Sequence, residues 1–334
     1  MPSLDTKQLK AQLKEEKFER SYLIYGEEDY LKHYYSELIA SKCVASGMEG
    51  FNLKRFDYSQ GSTFEEVRAC VVAKDYPLDS IYSSDKSAFE SFLKELPDST
   101  VIIFLQDTVS VDAKRNAKYK SIIAQFQKYG AEICFDRLDV TSLTKIIMSG
   151  AAKRGCNIDR ETAAYLIETS GNDLTILQNE TDKLCNFKNG DQITKTDIDE
   201  VCVKSLEASV FDLSRAVTKN DGKKAFSVLH KLFAEKEKPE LILGTMIMAF
   251  VDMYRAKVAV SSGEKANFAA SCYNYRGREF RLRNASYDSR NISIKTLRKN
   301  LDSLNEADRK LKIRVTDEKI ILEKLLVELL RSEQ

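Results

Sequence analysis

Ser21-Tyr22-Leu23-Ile24-Tyr25-Gly26-Glu27-Glu28-Asp29-Tyr30-Leu31 is the stretch whose reading decides the fold. A short β-favouring run ends at a glycine. The apolar positions Tyr30, Leu31, Tyr34, Leu38 and Ile39 then recur at helical spacing, so Glu27–Ala45 reads as a helix. Outward from it, Phe51–Phe56 alternates like a half-buried strand and Val71–Ala73 is a short strand. Lys86–Leu96 is helical, with Phe89, Phe92, Leu93 and Leu96 as its stripe. Val101–Leu105 is a continuous apolar run of the kind buried in a parallel sheet. Ala113–Tyr129 reads as a basic amphipathic helix and Ala131–Phe135 as a last strand. Strands alternating with helices predict βαβ units and a parallel sheet over residues 1–136.

The same turn argues against a nucleotide. A phosphate loop needs G-x-x-x-x-G-K-[ST], because backbone N–H groups and a lysine must neutralise a polyphosphate. Here Glu27, Glu28 and Asp29 stand where phosphate would sit, with no second glycine, lysine or hydroxyl in the turn. Acids in a first helical turn also complement the helix dipole. On either reading the turn repels a nucleotide's phosphates. The run Val101–Leu105 ends in Gln106-Asp107, where a hydrolase would want Asp-Glu; a polar end to a buried strand is the simpler reading.

Beyond Asp136 strand signals stop. Leu143–Lys153 looks helical with Gly155 as its stop, and Arg160–Glu168 and Asn172–Asn186 read as helices broken at Gly171. Thr196–Asp199 has the form of a capping box before a helix through Lys204. These make a small helical domain, residues 137–208. Residues 209–334 read as helical throughout, through Phe211–Val217, Ala225–Phe233 and a nearly all-apolar Leu241–Val258 that should be a central core helix. Ile294, Leu297, Leu301, Leu304 and Leu311, then Ile321, Leu322, Leu325, Leu326 and Leu329, suit two long bundle helices; Asp308 interrupts the alternative of a coiled coil.

The chain has 334 residues, 43% hydrophobic and 31% charged, enough for a core and for two or three domains. With 52 Lys+Arg against 51 Asp+Glu, bulk charge does not coat nucleic acid, so any such contact needs a local patch. The N-terminus lacks a secretory apolar region and no run is long enough to span a bilayer, so no membrane is expected. The 7 cysteines are dispersed without C-x-x-C, which suits reduced thiols in a cytoplasmic protein. His33 and His230 complete no nucleophile or metal motif, and no catalytic, cofactor or metal residue is assigned.

One charge cluster stands out. Between Asn274 and Lys299 the bases are Arg276, Arg278, Arg281, Arg283, Arg290, Lys295, Arg298 and Lys299, against Glu279 and Asp288, with Tyr273, Tyr275, Phe280 and Tyr287 interleaved. Arginines among aromatics suit phosphate contact and base stacking, so Arg276, Arg278, Arg281, Arg283, Lys295 and Arg298 are candidate nucleic-acid contacts; a solvated basic loop is the alternative. Lys114, Arg115, Lys118 and Lys120 read as a solvated helix face.

This order of domains resembles the δ-subunit family of the bacterial DNA polymerase III clamp loader. Tyr22–Leu31, Phe51–Asp57, Gly171–Leu184 and Ala208–Ala216 carry the resemblance, in the family's order. It implies α/β plus all-α architecture: an AAA+-like parallel α/β domain without a P-loop, contacting the clamp (1–136), a small helical lid (137–208) and a C-terminal helical collar (209–334). It implies a non-catalytic subunit of a DNA-directed DNA polymerase holoenzyme that needs no cofactor. Such a subunit binds the sliding clamp (β subunit) and opens its ring for loading on primed DNA. Its partners would be the ATPase (γ/τ) and δ′ subunits. Leu174 aligns where active relatives place a lid arginine, and the Ser-Arg-Cys tripeptide of the ATPase and δ′ subunits is absent. The collar would pack against related subunits through Leu297, Leu301, Leu304, Leu322 and Leu325.

The chain departs from the family at one place. There the family carries a clamp-binding helix and loop with an exposed apolar pair, then a strand. Here Phe64–Ala69 runs straight into Cys70–Asp75. Either the chain is a variant, or a segment between Ala69 and Cys70 is lacking from this sequence. The clamp-contact region is therefore assigned only to the neighbourhood of Phe64, Val67, Arg68, Ala69 and Cys70. The alternatives to a δ-type lever are an active AAA+/P-loop NTPase, opposed by the acidic turn, and a DNA-binding regulator using Arg276–Lys299, opposed by the neutral total charge.

Overall fold

Each strand of the N-terminal half is followed by a helix, and a chain so connected brings its strands together in parallel. The computed structural model describes residues 4–60, 70–84, 86–113, 116–275, 278–313 and 317–331, and its contacts divide the chain into two units after Arg137.

The first unit runs α1 (Thr6–Glu15), β1 (Ser21–Gly26), α2 (Asp29–Cys43), α3 (Glu49–Asn52), β2 (Leu53–Asp57), β3 (Cys70–Lys74), α4 (Leu78–Ser84), α5 (Lys86–Glu95), β4 (Val101–Leu105), α6 (Ala117–Tyr129) and β5 (Ala131–Phe135). The five strands form one parallel sheet in the order β2-β3-β4-β1-β5. Alternate residues of each strand serve opposite faces. Tyr22, Ile24, Val72, Ile103 and Ile133 join a core with Tyr35 and Ile39 of α2. Leu23, Val71, Ile102 and Phe104 join a second core with Phe89 of α5 and Phe126 of α6. Both faces are covered, and this is why β3 and β4 in the middle of the sheet begin as unbroken apolar runs, whereas the edge strand β2 alternates.

Some boundaries differ from the sequence reading. Residues 49–52 coil into a helical turn, so β2 starts at Leu53 and Phe51 is exposed. α6 starts at Ala117, where the Asn116 side chain accepts the Lys118 N–H. α1 and α4 are additional to the helices that the sequence pattern predicts. α1 is fixed by a capping box between Asp5 and Gln8.

The second unit holds α7 (Val140–Lys153), β6 (Asn157–Ile158), α8 (Arg160–Ser170), α9 (Leu174–Lys188), β7 (Gln192–Ile193), α10 (Lys195–Val201), α11 (Leu206–Thr218), α12 (Gly222–Ala234), α13 (Pro239–Ser261), α14 (Ala269–Cys272), α15 (Phe280–Asp288), α16 (Ile294–Ile313) and α17 (Glu318–Arg331). Both segments expected as separate helical domains fall within it. β6 and β7 pair over two residues, too few to leave a periodic signal. The capping box lies at Thr194 and Asp197, two residues before the expected one, and α10 ends at Val201.

α13 is the core helix: Ile242, Leu243, Met246, Phe250, Met253 and Ala256 are buried along it. Being apolar on most faces, it must be wrapped, and α11, α15, α16 and α17 wrap it. This corrects the expected oligomerisation surface. Leu297, Leu304, Leu322 and Leu325 are buried in the unit's own core, and Leu301 packs partly buried against it. The apolar residues left exposed on the same bundle include Leu241, Met248, Ile320 and Val327.

Candidate functional site

β1 delivers the chain to the carboxyl edge of the sheet, where folds of this class bind ligands. Gly26 leaves it with φ 126°, and a Cβ there would lie 2.2 Å from the Phe135 carbonyl oxygen. Only glycine allows β1 and β5 to approach so closely. The Glu28 N–H then donates to the Phe135 carbonyl (2.9 Å) and α2 begins.

From the first turn of α2, Lys32 turns inward and is 1% exposed. A lone buried ammonium would be costly, so its partners matter. Its Nζ lies 2.9 Å from Asp29 Oδ1 and 3.6 Å from Asp107 Oδ1, and donates to the carbonyls of Asp107 (2.9 Å) and Gln106 (3.4 Å). Asp107 is the hub. It also meets His33 Nε2 at 3.0 Å and Lys74 Nζ at 3.0 Å, and Lys74 reaches Asp57 at 3.7 Å. Burial works against the Asp107 charge, but the Lys74 hydrogen bond and the charges of His33, Lys32 and Lys74 outweigh it and hold the carboxyl below the usual carboxylate range. The Asp107 hydrogen bond raises Lys74 in turn.

Asp75, in the left-handed region at φ 51°, follows β3 and accepts the N–H groups of Asp107 (2.7 Å) and Thr108 (3.0 Å) and the Thr108 hydroxyl (2.8 Å). The ends of β3 and β4 are thus laced together by side chains. The sequence reading found no lysine in the turn; Lys32 enters this edge from the helix, and its ammonium is taken up by carboxylates of the same chain. Asp107, read as a polar strand end, is the group that organises the edge.

In the second unit Asp252, 4% exposed in α13, gathers a polar knot. Arg281 donates to it through Nε (2.9 Å) and Nη2 (2.8 Å), Tyr275 donates its hydroxyl, and Arg281 Nη1 reaches Glu207 at 3.1 Å. The Arg281 guanidinium also lies over the Phe211 ring. Burial, then the bond to Asp252, raises the Tyr275 hydroxyl's pKa. Asp252, Arg281, Glu207 and Phe211 line a cavity of about 270 Å³ together with Arg215, which binds Asp288 at 3.0 Å and Asp212 at 3.3 Å.

These contacts sort the basic cluster. Arg281 is interior and neutralised, so it is withdrawn as a nucleic-acid contact: its guanidinium offers no free donor edge to a phosphate. Arg278 is half-buried at the cavity. Arg283, Lys295 and Arg298 are exposed, as are Arg290 and Lys299 of the same cluster. Among the described residues Arg283, Lys295, Arg298 and Lys299 make no ion pair. Farther along α16, by contrast, Arg309 and Lys310 pair with Glu306, and Lys312 with Asp308. One Tyr–Arg stack lies within the cluster, Tyr287 with Arg290, and another beside it, Tyr273 with Arg255.

Residues 207–329 match the family described as DNA polymerase III delta subunit, C-terminal domain. A Bacillus subtilis protein, "DNA polymerase III subunit delta", is 24% identical over 94% of this chain and 93% of its own length. The chain resembles bacterial DNA polymerase III delta subunits. A "Probable DNA polymerase III subunit delta" of Aquifex aeolicus is 22% identical over 48% of this chain and 46% of its own. The solved structure of the "Bacillus subtilis DNA clamp loader delta protein (YqeN)" shares the fold, with a TM-score of 0.63, 23% identity, and coverage of 97% of this chain and 99% of that one. The expected fold class holds in its architecture: a parallel α/β unit followed by helices.

Against the delta pattern, Leu174 is buried at the first position of α9, with Asp173 capping the helix. Phe64, Val67, Arg68 and Ala69 lie outside the described residues, as do Arg276, Lys114 and Arg115. Cys70 is corrected: it is the fully buried first residue of β3, paired between β2 and β4, and so is no contact for a delta partner.

Proposed function

We propose that the chain is a non-catalytic, delta-type clamp-loader subunit that binds the sliding clamp and holds its ring open for loading on primed DNA. The observation that carries this reading is the Lys32–Asp29–Asp107 network. In an α/β unit of this topology, the carboxyl edge that would hold a nucleotide is filled by the protein's own charges. A subunit that spends no ATP can shift the ring between closed and open only by binding one state better. The clamp contact is placed in the first unit near residues 64–69. The remaining apolar surface of the second unit, with Leu241, Met248, Ile320 and Val327, is the side offered to the γ/τ ATPase and δ′ subunits in the cytoplasm.

The test is capture of purified bacterial sliding clamp by the full chain, beside calorimetry with magnesium ATP. Clamp retained with no ATP heat supports the reading. Saturable micromolar ATP binding, or no clamp retained, removes it.

A second reading, contact with nucleic acid, rests on α16. Its first two turns carry Lys295, Arg298 and Lys299 with no acid in the first turn. Cations there oppose the helix dipole and cost stability. Unpaired bases at a helix N-terminus suit a polyanion, and in a clamp loader that polyanion is DNA.

A further inference from the structure

Within the second unit, residues of α8, α11, α13 and α15 line the cavity of about 270 Å³. One water takes about 30 Å³ of the liquid, so the space is large enough for a small organic molecule. Part of its wall is apolar. Ala249 and Met253 of α13 line it and are buried, and Phe211 of α11 and Phe280 of α15 line it half-buried. Water against such a wall is readily displaced by an apolar body.

The charges around it are unequally matched: five lining residues are carboxylates and four are cations. The cations are engaged. Arg281 serves Asp252 and Glu207, Arg215 serves Asp288 and Asp212, Lys204 meets Asp212 at 2.9 Å, and Arg278 is not free either. Glu168, exposed on α8, is the carboxylate left over. Among the described residues it forms no ion pair, and its one hydrogen bond is long, 3.4 Å from the Asn284 amide of α15. An entering anion would meet cations already bound to carboxylates and a surplus of negative charge. An entering cation would meet a carboxylate without a counter-charge, beside aromatic rings.

We propose that this cavity is a binding site for a small organic cation, a flat apolar body carrying an amidinium, guanidinium or ammonium group, with Glu168 as its counter-charge. The body lies against Ala249, Met253 and the phenylalanines. The head stays at Glu168, which is exposed, and so keeps part of its hydration and avoids the cost of a fully buried charge. Glu168 belongs to α8 and Phe280 to α15, so an occupant ties these two helices across the cavity. It should therefore stabilise the chain in proportion to its occupancy. The site needs neither clamp nor DNA.

The test titrates the full chain with three probes of nearly one shape: benzamidine as the cation, benzamide as the neutral form and benzoate as the anion. Ligand NMR reads binding and thermal melts read stabilisation. Benzamidine should saturate at millimolar concentration or below and raise Tm. Benzamide should bind about fivefold more weakly, the worth of a partly exposed ion pair, and benzoate should not bind. Glu168→Gln should bring benzamidine down to the affinity of benzamide. Ala208→Leu, at a half-buried lining position of α11, fills part of the space and should weaken both. Melts of the two variants without probe verify that each is folded. The proposal falls if benzamidine does not saturate, if benzoate binds as tightly as benzamidine, or if either folded variant keeps the wild-type affinity for benzamidine.

Discussion

Lys32 and Asp29, one helical turn apart in α2, form a 2.9 Å ion pair whose ends lie in different media: the lysine side chain is 1% exposed and the aspartate 75%. The carboxylate half costs little to ionise, and the buried ammonium depends on Asp107 for the rest of its compensation. The two substitutions should therefore differ. Lys32→Met leaves Asp107 with His33 and Lys74 and leaves Asp29 in water, so it should cost about 1 kcal/mol. Asp107→Asn leaves a buried ammonium short of a partner and should cost about 3 kcal/mol. Urea unfolding of each variant checks this; equal losses would mean that Asp107 does not organise the edge.

The same group sets an acid limit. The folded carboxyl of Asp107 ionises below its ordinary range, so the folded state holds its proton less tightly than the unfolded chain. Its stabilisation is fully present above about pH 4, the ordinary value for aspartate, and is lost as pH falls through the depressed folded value. The gap in Tm between wild type and Asp107→Asn should stay constant from pH 7 to 5 and close as pH falls below about 4. Thermal melts across that range test it, and a gap that widened in acid would contradict the sign.

Gly26 and Gly47 both have positive φ, at 126° and 84°. Around Gly47 a Cβ meets nothing within 4 Å, whereas at Gly26 it meets the Phe135 backbone at 2.2 Å. Gly47→Ala should cost about 1 kcal/mol, the backbone strain alone. Gly26→Ala must also push β1 from β5 and should cost on the order of 4 kcal/mol. Circular dichroism melts of the pair separate strain from clash.

How much of this the letters disclosed depended on whether a feature repeats along the chain or across it. The sheet was legible because β1 and β4 are buried on both faces and leave apolar runs. α13 was legible because it is wrapped on most sides. The strand-end site was half legible: the three acids gave away the missing phosphate loop, but Lys32 and Asp107 come from distant elements and meet only on folding. The spacing of Asp29 and Lys32, three apart on a helix, was the one local hint. Arg281 misled for a similar reason. Its partner Asp252 sits 29 residues earlier in the chain, and no pattern along α15 sets Arg281 apart from the exposed Arg283.

The leucine stripes of α16 and α17 serve the fold, so their truncation should show in the isolated chain. Leu304→Ala should cost 2–5 kcal/mol in any assay of folding, about what a buried leucine is worth. Met248→Ala, on the exposed side of α13, should cost under 1 kcal/mol in the isolated chain and weaken assembly with the ATPase subunits instead. Melts and reconstitution gel filtration on the same two proteins distinguish fold from interface; a stable Leu304→Ala chain would return that leucine to the surface.

The unpaired bases of α15 and α16 make the final case, because Arg281 gives an internal control. Arg283, Lys295, Arg298 and Lys299 are exposed and make no ion pair among the described residues, so replacing them with glutamine removes no internal contact. If they meet phosphates, affinity for a primed DNA should fall as salt rises. Each cation removed should then lower the slope of log K against log salt by about 0.7–0.9, the counterions one phosphate releases. Lys295→Gln and Arg298→Gln should also leave melting unchanged or raise it slightly, since a cation is removed from a helix N-terminus. Arg281→Gln should behave otherwise. It leaves Asp252 buried beside Tyr275 without its counter-charge, so melting should drop steeply while the salt slope of the folded fraction is kept. Fluorescence anisotropy at several salt concentrations, beside melts of each variant, reads both quantities. If the slope stayed at the wild-type value when all four exposed cations were gone, DNA would have to bind elsewhere on the chain and the cluster would be a solvated surface.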